Sequence, residues 1–187
     1  MTVTNLKARP KALPDRISRD ISRSEVIVDR VVRQNELKHL VEPELSDLND
    51  AVSVPLSFWL EHRTTMLSQC KTIAVQIAAD ESPQAIAEQL DEIDIVVLPF
   101  VSLQDGRSYS HAQRLRTDHH YQGQIRVTGD VKYDQLAFLQ RVGVNAFELA
   151  EEEDIPQAAT ALNRLGEAYQ PAADKVRLVF SRRRAKH

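Results

Sequence analysis

The chain has 187 residues, a net charge of −3 and 42% apolar side chains. That length and composition support one globular domain with a sizeable core, and the charge gives no global reason to expect nucleic acid as a partner. Cys70 is the single cysteine, which excludes an internal disulfide, a CxxC redox pair and a cysteine-built metal or iron–sulfur site within one chain.

Residues 1–24 read as a disordered N-terminal arm. Pro10 and Pro14 interrupt it, and Lys7, Arg9, Lys11, Arg16, Arg19 and Arg23 outnumber its acids. No apolar run approaches the ~18 residues that span a bilayer, and the opening residues lack the pattern of a secretion signal. A reducing cytoplasm and no membrane contact are the expectation. Residues 25–180 read as a single α/β domain, and residues 181–187 (SRRRAKH) as a basic C-terminal tail.

Within the domain, the β-branched density of Glu25–Arg33 predicts one extended segment. Leu37–Asp50 is acidic and predicts a loop. Pro55 should open a helix over Leu56–Gln69, with Leu56, Trp59, Leu60 and Leu67 on its buried face. Trp59 should anchor that helix in the core, and Cys70 should close it as a small apolar residue. Ile73–Ala78 reads as a buried strand. Ser82 and Pro83 are the cap and first turn of a helix burying Ile86 and Leu90. Ile95–Phe100 is continuously apolar, as a parallel strand covered on both faces should be. Pro99 suggests that this strand ends there or lies at an edge.

Asp105–Leu149 holds four of the five glycines: Gly106, Gly123, Gly129 and Gly143. Tyr109–Arg116 and Tyr133–Val142 predict helices, and Ile125–Thr128 and Ala146–Leu149 predict strands. Pro156 opens a last helix burying Ala158, Ala161, Leu162, Leu165 and Ala168, and Val176–Phe180 suggests a closing strand. The fold class is therefore α/β, with parallel strands alternating with helices in a partial barrel or a small open sheet.

In both architectures ligands bind beyond the carboxyl ends of the strands. Asp105 and Arg107, Gly129 and Asp130, and Glu148 should reach that edge. Arg107, Arg126 and Arg116 are candidate oxyanion clamps, with Ser108 at the opening of the following helix. Asp105 and Asp130 are candidate acid–base groups. Each also has an architectural reading. Asp105–Gly106 makes a good turn, Ser108 and Asp130 make good helix caps, and Arg126 and Asp130 suit an ion pair. His111, His119 and His120 lack metal-ligand spacing, so no metal site is expected. No GxGxxG, Walker A or GxSxG motif occurs.

DGRSYSHAQRLR, YQGQIRVTGDVKYDQ and LQRVGVNAF resemble a bacterial family classed as a domain of unknown function. Its members are described as oxidoreductases of sulfite reduction because their genes accompany assimilatory sulfite reductase. The resemblance runs from about Glu25 to Leu149 and includes Pro55-Leu56-Ser57-Phe58-Trp59. Asp105, Gly106, Arg107, Tyr109, Ser110, Leu115, Arg116, Tyr121, Gly123, Arg126, Gly129, Asp130, Asp134, Gln135, Arg141 and Gly143 fit its pattern. Ser108 replaces a usual glycine and Asn145 a usual aspartate, which argues against a catalytic acid at Asn145. The resemblance implies a place in sulfate and sulfite assimilation, with sulfite reductase as the candidate partner, and the rim of Asp105, Arg107 and Arg126 suits sulfite or a sulfate ester as a small-anion ligand. It implies no reaction and no cofactor. An enzyme, an accessory or assembly partner of the reductase, and a lyase or isomerase for a phosphorylated or sulfated metabolite all stay open.

Overall fold

In the computed structural model, which describes residues 24–100, 106–164 and 172–173, runs of Val, Ile and Ala form the strands of one eight-stranded sheet. In chain order the strands are β1 Glu25–Val28, β2 Val31–Gln34, β3 Lys38–His39, β4 Ala51–Pro55, β5 Thr72–Gln76, β6 Ile95–Phe100, β7 Gln124–Gly129 and β8 Ala146–Phe147. Their order across the sheet is β2-β1-β8-β7-β6-β5-β4-β3. From β3 to β8 every pairing is parallel, and β1 and β2 join the β8 side antiparallel. The α-helices are α1 Leu56–Gln69, α2 Arg107–Thr117, α3 Leu136–Arg141 and α4 Ile155–Arg164.

The strand order requires curvature. β2 and β3 sit on opposite edges, yet only residues 35–37 join them. Four Cα steps reach at most about 15 Å, whereas seven flat strand spacings would need about 34 Å. The sheet therefore curls into a half-barrel. This settles the partial barrel over the open sheet.

Alternation sorts the two faces. Val52 and Val54, Ile73 and Val75, Val96 and Leu98, Ile125 and Val127, and Phe147 point outward. There they pack with Trp59, Met66, Leu115, Leu139 and Leu162 of the helices in the main core. The inner face carries a small apolar layer of Leu37, Ala74, Ile95 and Val97. Polar residues complete that face.

Several expectations are met closely. Pro55 caps α1 over the expected span, and β6 coincides with Ile95–Phe100. Trp59 is fully buried and its indole donates to Gln89 Oε1 at 2.9 Å. Ser82 Oγ accepts from the Gln84 backbone, with Pro83 opening the following turn. That element, Pro83–Glu92, is a 3-10 helix that still buries Ile86 and Leu90. Gly143 follows α3 with φ +102°. Its N–H donates to Gln140 O, and Val144 N–H donates to Leu139 O, a left-handed helix cap that glycine favours.

Other expectations are corrected. Glu25–Arg33 is a hairpin, because Asp29 and Arg30 take φ of +49° and +70° and turn the chain in two residues. Leu37–Asp50 contains β3, and Ala51–Pro55, for which no strand was expected, forms β4. On α1, Leu60 and Leu67 are exposed, and Met66 is buried instead. Pro99 lies within a central strand. Pairing of β5 with β6 ends at Val97, while β6–β7 pairing continues to Phe100. The nitrogen of Pro99 faces the β5 side, where no ladder bond is lost. The helix after β7 begins from Lys132, not Asp130. Residues 1–23 of the expected N-terminal arm, the basic tail, the strand at 176–180, and Leu165 and Ala168 lie outside the described residues.

Candidate functional site

Register places a polar set along the inner face, toward the carboxyl ends of the parallel strands. His39 ends β3 and stands beside Ser53 on β4. Gln76 ends β5, and the register runs from it through Val97 to Arg126. Glu148 follows β8 directly, with its N–H donating to Val127 O. Asn35 enters from the connector between the sheet edges.

These side chains form one chain of hydrogen bonds. Arg126 NH1 donates to Asn35 Oδ1 at 2.9 Å and to Glu148 Oε1 at 2.8 Å. Turning the Gln124 amide so that its oxygen faces the guanidinium lets it accept from Arg126 Nε and NH2 at 2.8 and 2.9 Å, the orientation that satisfies both groups. Glu148 Oε2 meets His39 Nε2 at 2.9 Å. His39 Nδ1 lies 2.6 Å from Ser53 Oγ, which accepts from Gln76 Nε2 at 3.0 Å. A neutral imidazole with its proton on Nε2 satisfies every member, because Ser53 then donates to Nδ1 while accepting from Gln76. Arg126, Glu148 and Ser53 are buried, and His39 remains 19% exposed. The buried carboxylate and guanidinium cancel each other's charge, as burial requires. His39, Asn35, Gln76 and Gln124 are half-buried around that pair.

The sequence-predicted residues divide. Arg126 belongs to this network, with Glu148 as its partner and not Asp130. Asp130 is half-buried at the carboxyl rim, 3.8 Å from Lys132 Nζ. Arg107 opens α2 on the same rim and is exposed. Ser108 is buried, and its hydroxyl donates to Pro99 O at 3.3 Å. Asp105 lies outside the described residues.

Arg116 lies at the other end of the strands. Its Nε donates to Gly143 O at 3.0 Å and NH1 to Tyr121 O and Gly123 O at 2.5 and 2.8 Å. Its NH2 reaches Asn145 Oδ1 at 3.2 Å. Gly123 and Asn145 immediately precede β7 and β8, so α2 has carried Arg116 back to the amino ends. Its guanidinium also lies 5.6 Å from the Tyr121 ring centroid. Burial lowers the Arg116 pKa, while Tyr121 and Asp29 oppose that shift. Burial also raises the Tyr121 phenol well above its ordinary value. The structure does not bring Arg116 to Arg107 or Arg126.

Sequence reading named Arg126 and Glu148 separately and passed over His39, Ser53, Gln76 and Asn35. The available signal was a polar residue at alternate positions of otherwise apolar runs. Ser53 in AVSVP and Gln76 in TIAVQ both fit it. Cys70 is half-buried, and desolvation raises its thiol pKa, opposite to activation. Among the described residues, no three His, Cys, Asp or Glu side chains gather as a metal site. No described helix is long and apolar enough to cross a membrane.

The architecture defines a parallel α/β half-barrel with a charged network on its inner carboxyl-end surface. The chain belongs to the bacterial protein family of unknown function DUF934, whose model matches residues 74–180. That span includes Gln76, Arg126 and Glu148, while Asn35, His39 and Ser53 precede it. No curated protein matches the chain.

Proposed function

We propose that the protein serves assimilatory sulfite reduction by holding a small oxyanion at the carboxyl end of the half-barrel. The carrying observation is the placement of Arg126, Glu148 and His39 on the inner face at that end. Apolar side chains could fill such a position at no loss of stability, and parallel barrels place their chemistry there. The sulfite pathway comes from the sequence resemblance. Arg107 and the backbone opening α2 supply further donors at the rim. One cysteine cannot ligate an iron–sulfur cluster within the chain, so a partner enzyme is proposed to carry the electrons.

The test is calorimetric titration of the full chain with sulfite, sulfate and phosphate, beside Arg107→Ala. Saturable binding of sulfite supports the reading, and loss of that binding in Arg107→Ala assigns the rim. No heat with any of the three anions overturns it.

One observation favours a second reading, an accessory that docks on the reductase. Phe138 is 60% and Tyr133 41% exposed, and Phe138 packs on Tyr109, which packs on Phe100, each with ring centroids 5.2 Å apart. Aromatic residues of this kind are enriched in interfaces. Co-purification with sulfite reductase that Phe138→Lys abolishes would favour this reading; unchanged co-purification would remove its support.

A further inference from the structure

We propose that Glu148 is the built-in occupant of an oxyanion site made by His39 and Arg126, and that a small oxyanion presenting two of its oxygens to that pair takes its place. This rests on the function proposed above and assigns that function's ligand to the inner face.

The carboxylate of Glu148 is gripped as a ligand would be. Oε1 accepts from Arg126 NH1 at 2.8 Å, and Oε2 meets His39 Nε2 at 2.9 Å. Both donors are fixed independently of Glu148. Gln124 and Asn35 hold the guanidinium, while Ser53 and Gln76 hold the far side of the imidazole. A site whose donors are pinned by other residues keeps its geometry when the occupant changes. Sulfite, sulfate, phosphate and a carboxylate all present two acceptor oxygens to such a pair.

Exchange is electrostatically feasible. One anion replaces another between the same two donors, so Arg126 is never left as a buried unpaired charge. Glu148 lies just past the end of β8, where its side chain can swing without breaking a strand. Of the two groups that meet at Oε2, His39 is 19% exposed and Glu148 3%, so the grip on the carboxylate opens toward solvent on the His39 side. The proposed consequence is self-competition: the affinity of the wild-type chain for an oxyanion is reduced by the strength of its own carboxylate.

The experiment is calorimetric titration of the full-length wild type, Glu148→Ala and the double variant Glu148→Ala with His39→Gln, with sulfite and with formate. A thermal-melting series at rising anion concentration accompanies it. Glu148→Ala should bind about tenfold or more tightly than wild type, since no internal ligand must leave. Its melting temperature should rise with anion more than that of wild type. His39→Gln placed on Glu148→Ala, where no carboxylate competes for the same donor, should weaken sulfite binding about tenfold relative to Glu148→Ala, the equivalent of one charge-assisted hydrogen bond. Should Glu148→Ala fail to fold, Glu148→Gln, which leaves a neutral and weaker occupant, decides in its place and should also bind sulfite more tightly than wild type. Wild-type protein that binds sulfite as tightly as the Glu148 variant defeats the displacement and leaves the proposed function standing. Wild-type protein that takes up no anion defeats both, even if Glu148→Ala binds.

Discussion

Replacing Arg116 by Met removes the guanidinium that ties α2 to the amino ends of β7 and β8. It donates four hydrogen bonds, three to backbone carbonyls and one to Asn145 Oδ1. A bond to a charged group contributes about 1.5–3 kcal/mol when it is lost with its partner left buried. Arg116 is only half-buried, so water will recover part of that loss. We expect about 3 kcal/mol of destabilisation. At about 2–4 °C per kcal/mol for a chain of this size, the melting temperature should fall by roughly 6–12 °C. Thermal melting and urea titration would measure it. Gly143 offers an internal check. A Cβ there would strike the Arg116 side chain at Cγ, and its φ is +102°. Gly143→Ala should therefore cost less in an Arg116→Ala background, which has no Cγ to strike, than alone, leaving mainly the backbone strain. Oxyanion binding should survive Arg116→Met, because the residue sits at the opposite end from the proposed site. A loss below about 0.5 kcal/mol, or strictly additive effects with Gly143→Ala, would refute the clamp.

Gly129→Ala should destabilise by more than about 1 kcal/mol, because φ is +93° and a Cβ would meet the Phe100 carbonyl; denaturant titration reads it. Trp59 is the single tryptophan and fully buried, so its emission should be blue-shifted and shielded from iodide in the folded chain. Trp59→Phe should cost about 1–2 kcal/mol for the indole bond to Gln89 and lost volume. Tyr121 donates to Ile93 O at 2.9 Å, and burial raises its pKa. Its contribution is therefore complete below the ordinary phenol value near 10 and lost as pH climbs from there toward the raised value. Tyr121→Phe should flatten that alkaline decline in melting temperature. Glu92 runs the other way: its hydrogen bond from Arg63 lowers its pKa. The pair's contribution is present above the ordinary carboxylate range and lost as pH falls through the lowered value. An acid melt of Glu92→Gln should show a smaller slope there.

Local chemistry explains what could be read without the fold. Pro55 has a fixed φ and opens α1 where no N–H is needed. Ser82 and Pro83 start the next turn by the same logic. The unbroken apolar run Ile95–Phe100 declares a strand covered on both faces. Gly129 and Gly143 occupy positive φ at the end of β7 and after α3, as their clustering suggested. Each of these signals is carried by residues within a few positions of one another.

Tertiary structure decided the rest. β3 has two residues, too few for any periodicity, and becomes a strand only because β4 lies beside it. Leu60 and Leu67 satisfy helical spacing, but α1 docks through Leu56, Trp59 and Met66 and leaves those two leucines exposed. Arg116 and Arg126 are equivalent as sequence; the return path of α2 sends one to the amino ends, and strand alternation turns the other inward. The site itself joins Asn35 to Arg126 across 91 positions and His39 to Glu148 across 109. The amino-acid sequence determined which segments could be strands and helices, because those preferences are local. Only the closing of the half-barrel, driven by the three-residue connector between its edges, decided which distant polar groups would meet.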